Sequence, residues 1–136
     1  MTFVSELEPK ALWGHFDQIF LPYYRADLDA GRLTPEQAKE LFKYSWIKST
    51  ARTRGTHNGA HFCLGGQWAD GSDATNELTT LILDAYREYN APDPKLSVRV
   101  HNRTPDRLYR HYHNDQWVLC GRCQPERRTQ IQWPEQ

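Results

Sequence analysis

Cysteine is scarce in this chain of 136 residues, and the three present are an odd number. They cannot all pair, so no disulfide framework is expected to hold the fold. Long apolar runs are also missing, which leaves no stretch able to cross a membrane as a helix. The opening segment MTFVSELEPK is too polar for a secretory leader. These absences point to a reducing cytoplasm. Net charge is zero, which argues against a whole-surface footprint for nucleic acid or an anionic membrane. The surplus of arginine over acids in the last third reads as solvated surface. There is no internal repeat and no low-complexity tract.

What is present suits one domain with a modest core. Mean hydropathy is low, and five Trp and seven Tyr carry much of the apolar content. Residues from Pro9 to Ala30 read as a helix with Trp13, Phe16, Phe20 and Tyr23 on one face. Pro22 is expected to kink or divide it, and Gly31 suits its end. LTPEQAKELFKYSWIKS reads as a second helix. Thr34 caps it, Pro35 takes the first position and Gln37 completes a capping box. Its buried stripe is expected at Ala38, Leu41, Phe42 and Ser45, with Trp46 at the edge.

HFCL, from His61 to Leu64, reads as a short strand ending at Gly65-Gly66. Asp73 is expected to cap the next helix, through Asn90, whose apolar positions Leu78, Leu81, Ile82, Ala85, Tyr86 and Tyr89 keep helical spacing. Asp73, Asn76 and Glu77 read as caps and first-turn acids. LSVRVH, Leu96 to His101, alternates as a strand. TPDRLYRHY opens another helix, with Thr104 as cap. Strand, helix and strand in this order predict a βαβ unit with parallel strands. One strand face is apolar. The other carries His61 and Cys63 beside Ser97, Arg99 and His101. A polar inner face suits the wall of a barrel that holds a ligand.

LGGQWADGSDATNELTTLILDA, followed by PDPKLSVRVH and TPDRLYR, resembles the glycyl radical enzyme superfamily. The resemblance is to its pyruvate formate-lyase-like barrel domain, on the dehydratase and decarboxylase side. It covers roughly Phe20 to Arg110. It implies an α/β fold: N-terminal helices and one βαβ unit, a piece of a ten-stranded barrel. It divides the chain into a partial barrel domain, residues 1–110, and a divergent, irregular tail, residues 111–136. The activity implied for the full enzyme is radical cleavage of a C–C, C–O or C–N bond in a small organic substrate, in anaerobic metabolism. A glycyl radical would be installed by a radical S-adenosylmethionine activating enzyme. The family's Gly-Cys-x-Glu-Pro and Arg-Val-x-Gly-Tyr loops are absent from these residues, so the chain is expected to bind no cofactor and to be inactive alone. A tail altered by a lost internal stretch, a frameshift or mis-splicing after Arg110 would account for this pattern.

The residues expected to line the cavity are His61, Cys63, Gly65, Ser97, Arg99 and His101. Gly65 belongs there as a strand end that admits close backbone approach. Cys63 reads as an inert thiol on a strand, and Cys123 is a weak candidate for the radical-bearing cysteine. Arg99 and His101 read equally as substrate contacts or as partners of a loop carboxylate. DGSDATNE does not fit a calcium loop, and LGGQWADG does not fit a phosphate loop. The competing site is His111, His113, Cys120 and Cys123, whose types and spacing could hold zinc in a small binding module. Its arginines, Arg122, Arg127 and Arg128, would then face acidic partners. Open strand edges are expected to favour association or aggregation.

Overall fold

The computed structural model describes residues 12–53, 61–91, 94–111 and 118–119. Four strands form one parallel sheet in the order β1-β2-β3-β4: β1 Leu12–His15, β2 His61–Gly65, β3 Lys95–Arg99 and β4 Val118–Leu119. Helices α1 (Phe16–Asp29) and α2 (Pro35–Thr53) join β1 to β2. Helix α3 (Glu77–Tyr89) joins β2 to β3, and α4 (Asp106–His111) follows β3. Each strand thus lies beside its predecessor. Right-handed crossovers that progress in one direction leave their helices on one side of a sheet.

The core lies on that side. Phe62, Leu64, Leu96 and Val98 are buried among Phe16, Phe42, Trp46, Leu78 and Ile82. Trp46 is its centre rather than its edge. Its ring stacks on Phe62, with centroids 5.9 Å apart, and meets Tyr86 edge-on at 5.5 Å. Such pairs add about 0.5–1.5 kcal/mol each beyond their buried area. The buried face of α2 is therefore Ala38, Phe42 and Trp46, four residues apart, while Leu41 is partly exposed. The expected capping box at its start is present: Thr34 Oγ1 accepts from Gln37 N–H, and Gln37 Oε1 accepts from Thr34 N–H.

The N-terminal helix differs from the expectation. Residues Leu12–His15 pair with β2, and the helix starts only at Phe16. The spacing from Trp13 to Phe16 spans a strand–helix junction, not a helical turn. The inward face runs Phe16, Phe20, Tyr24 and Asp27, so Tyr24 is buried and Tyr23 is 61% exposed. Pro22 does not divide the helix, which stays one element across it. Proline removes a single backbone donor, and buried residues on both sides hold the element together.

Helix α3 starts later than expected. Asn76, not Asp73, is its cap: Asn76 Oδ1 accepts from Leu78 and Thr79 N–H, and Thr79 Oγ1 accepts from Asn76 N–H. Asn90 ends it in a left-handed conformation. Thr104 caps differently too, since its hydroxyl accepts from His101 N–H and closes the turn before α4.

One buried carboxylate joins three elements. Asp17, fully buried on α1, accepts from Gly65 N–H of β2 at 2.8 Å, from the Thr79 hydroxyl of α3 at 2.5 Å, and from Gln18 N–H at 3.0 Å. Burial outweighs these hydrogen bonds and lifts the Asp17 carboxyl above its ordinary range.

Asp17→Ala strands the Gly65 and Thr79 donors in the interior, so urea unfolding should show a loss of about 2–4 kcal/mol. The raised folded-state pKa gives a second expectation, with its sign. The contribution of Asp17 is fully present below its unfolded value of 3.8 and is lost as pH rises through the folded value. The stability of the wild type minus that of Asp17→Asn should therefore fall as pH rises across that window. A flat or rising difference would contradict it.

Candidate functional site

The sheet face opposite the helices is polar because strand side chains alternate. Parallel register sets Cys63 beside Ser97 and Gly65 beside Arg99. It also sets His61 beside Lys95, a cation that the strand pattern alone had not placed on this face. Phe62, Leu64, Leu96 and Val98 take the apolar side.

His61 reaches diagonally across to Ser97, with Nε2 and Oγ 2.5 Å apart. Ser97 is buried and His61 half-buried. Burial first, and the Lys95 ammonium second, hold the His61 imidazole below its ordinary value. The ring is therefore neutral near pH 7 and can give or take a proton. Cys63, a half-buried thiol outside any disulfide, stands beside this pair on the same face.

The second part of the face forms where β2 ends. Gly65 and Gly66 have φ of +65° and +100°. A Cβ on Gly65 would stand 3.2 Å from the Arg99 carbonyl oxygen, so the close approach requires glycine. Gly66 N–H donates to that carbonyl at 3.0 Å, and Gly66 O accepts from Ala74 N–H. Gly66 also lies against the Arg99 stem and the His15 ring. Arg99 Nη1 stands 3.1 Å from His15 Nε2. A guanidinium can only donate, so His15 accepts through Nε2 and carries its proton on Nδ1. That Nδ1 is buried and has no hydrogen-bond partner among the described residues.

His101 stands beyond β3, and its Nε2 is 2.9 Å from Asp73 Oδ1. The loop after the double glycine thus folds back onto the sheet end, where Asp73 also accepts from the Thr75 hydroxyl. Of the six cavity residues expected, His61, Cys63, Gly65, Ser97 and Arg99 share one face, while His101 is engaged by the loop. His15 was missed, because its segment was read as helix. Away from this face, an open cleft of about 670 Å³ lies among the helices, where Arg25 and Glu77 form a two-pronged ion pair of 2.7 and 2.9 Å. Its Arg25, Lys39 and Arg107 are mixed with Glu77 and Asp84, so it offers no single-sign recognition. The His111 side chain, His113, Cys120 and Cys123 lie outside the described residues, as do the three arginines of that segment. Among the described residues no cluster suited to a metal ion forms, and no helix is long and apolar enough to cross a membrane.

The model of the pyruvate formate lyase-like family matches residues 1–114. The isethionate sulfite-lyase of Desulfovibrio desulfuricans is 41% identical over 106 residues, which are 69% of this chain and 13% of that protein. The B12-independent glycerol dehydratase of Clostridium butyricum, solved with glycerol bound, is 33% identical and superposes with a TM-score of 0.60 over 71% of this chain and 13% of its own. A glycyl radical enzyme from Archaeoglobus fulgidus shares the fold at 24% identity, with a TM-score of 0.65 over 79% of this chain and 15% of its own. The chain thus spans about one-eighth of the length of the curated relative, the 13% given above.

The neutral state of His61 has a direct check. In an imidazole NMR titration, His61 should titrate below the ordinary 6.5, and Lys95→Gln should move it part of the way back. A His61 that titrates above 6.5 would contradict the assigned environment.

Proposed function

The chain belongs to the pyruvate formate lyase-like family of glycyl radical enzymes, and from that premise we propose that it forms a section of the cavity wall in a radical lyase or dehydratase. The observation that carries this reading is the one-sided sheet. Helices cover its apolar face, and its other face gathers His61, Cys63, Ser97, Arg99 and His15. A barrel closed from such a sheet encloses a polar lumen behind an apolar jacket.

In the complete enzyme, a glycyl radical installed by an activating enzyme supplies hydrogen abstraction. The two loops that carry that chemistry in the family are not among these 136 residues. The work of this chain's own residues is to bind, orient and exclude water. The His61–Ser97 pair offers one neutral acceptor and one hydroxyl, which suits a substrate hydroxyl group. The relatives favour a small hydroxylated compound cleaved at a C–O, C–C or C–S bond. The names of two of them specify glycerol and isethionate.

The test is a graft. Residues 61–101 replace the matching segment of the C. butyricum glycerol dehydratase, which is then activated anaerobically. The chimera should develop a glycyl radical by electron paramagnetic resonance and turn over glycerol. His61→Ala or Ser97→Ala in the chimera should then lower kcat/KM by about 10- to 100-fold, the value of one or two buried hydrogen bonds. Full radical formation with turnover indifferent to both substitutions would overturn the reading.

A further inference from the structure

We propose that the His101 ring is a pH-responsive clasp between the two loops that leave the sheet after β2 and β3, and that protonation of the ring releases the β3–α4 turn while keeping the β2–α3 loop. The clasp goes beyond the cavity-wall reading and does not rest on it.

The β2–α3 loop is bonded mainly to itself. Gln67 and Asp73 pair as an antiparallel bridge. Trp68 N–H donates to the Ser72 carbonyl and Gly71 N–H to the Trp68 carbonyl, both at 2.9 Å. Asp70 accepts from the amide and the hydroxyl of Ser72, and Gln67 Nε2 donates to the Gly71 carbonyl. Such a loop keeps its own shape, so its position depends on what ties it to its neighbours. Among the described residues, two side chains of the β3–α4 turn reach it. His101 Nε2 stands 2.9 Å from Asp73 Oδ1, and Arg103 Nη1 stands 3.4 Å from the Gly71 carbonyl.

The same ring closes the turn. Arg103 N–H donates to His101 Nδ1 at 3.2 Å, beside the bonds from Thr104 N–H to the His101 carbonyl and from His101 N–H to the Thr104 hydroxyl. A backbone amide can only donate, so Nδ1 carries no proton in this arrangement. The ring is therefore neutral here, with its proton on Nε2 and aimed at the Asp73 carboxylate. Each nitrogen serves one loop. The His101 side chain is 11% exposed and that of Asp73 20%, so little water stands ready to replace a lost partner.

A second proton can enter only at Nδ1. It sets one N–H against another, and the bond from Arg103 N–H is lost. At Nε2 the opposite happens, because the bond to Asp73 becomes charge-assisted and roughly twice as strong. The ring thus stays with the loop and lets go of the turn that leads into α4. The other charged groups of this region are Asp70 of the loop, Arg103 of the turn, Arg99 two residues back on β3 and Asp106 at the start of α4. Asp73 is the one bonded to the ring through its charge. Imidazole side chains gain this proton between about pH 8 and pH 5.

The experiment is NMR of the 136-residue chain from about pH 8 to about pH 5. At the high end, the ring nitrogen shifts of His101 should report the Nε2–H tautomer. As the ring protonates, the Arg103 amide should lose its hydrogen-bonded shift. Its protection, corrected for intrinsic exchange, should fall about 3- to 10-fold, while the amides of Trp68 and Gly71 keep theirs. In His101→Gln, the Arg103 amide should no longer respond to pH. If that variant fails to fold, the tautomer and the joint titration in the unaltered chain decide. An Nδ1–H tautomer at high pH, an Arg103 amide indifferent to ring protonation, or loss of the Trp68 and Gly71 amides together with it would each overturn the clasp.

Discussion

The carboxylate of Asp17 is the constraint on which the arrangement depends. It is buried at the start of α1, yet it accepts from the end of β2 and from the first turn of α3. A carboxylate moved out of water needs its oxygens filled, and only this mutual placement of the three elements fills them. Gly65 is thereby held at positive φ, the strand stops there, and Gly66 passes beneath Arg99 and His15. Thr79 serves twice, because the hydroxyl that donates to Asp17 also accepts from Asn76 N–H in the cap of α3. The junction that sets the helix start is the same one that sets the polar corner.

The second determinant is the direction of winding. A sheet built β1-β2-β3-β4 with helices between successive strands separates its two faces chemically. One receives the aromatic packing of Phe16, Phe42, Trp46 and Phe62. The other keeps the histidines, the serine, the thiol and the arginine. A sheet with helical layers on both faces would need apolar residues at His61, Ser97 and Arg99. Their polarity is what supports the proposal that this face lines the lumen of a barrel.

Much of this could be read from the residues. The α3 pattern from Leu78 to Tyr89 keeps one period over three turns, and Leu96 to Arg99 alternates cleanly, so the βαβ unit and its polar face followed. The strand β1 could not be read, because four residues give too little alternation and Trp13, Phe16 and Phe20 imitate helical spacing across the junction. His15 was lost with it, although it is the partner of Arg99. The two residues of β4 carry no pattern. Asp73 was assigned the cap because Asp and Asn both serve that role. Only the fold shows that Asp73 is drawn away to His101 while Asn76 caps. Asp17 gave no signal at all, since an acid in the first turn of a helix ordinarily faces solvent and complements the dipole.

The most direct measurement is hydrogen exchange at the Gly65 amide. That amide donates to the Asp17 carboxylate, and its protection reports the junction that orders α1, β2 and α3. The account predicts slow exchange there, comparable with core amides such as Ile82, and its specific loss in Asp17→Ala while α3 stays protected. Exchange at Gly65 as fast as at the exposed Ala69 in the unaltered chain would contradict it.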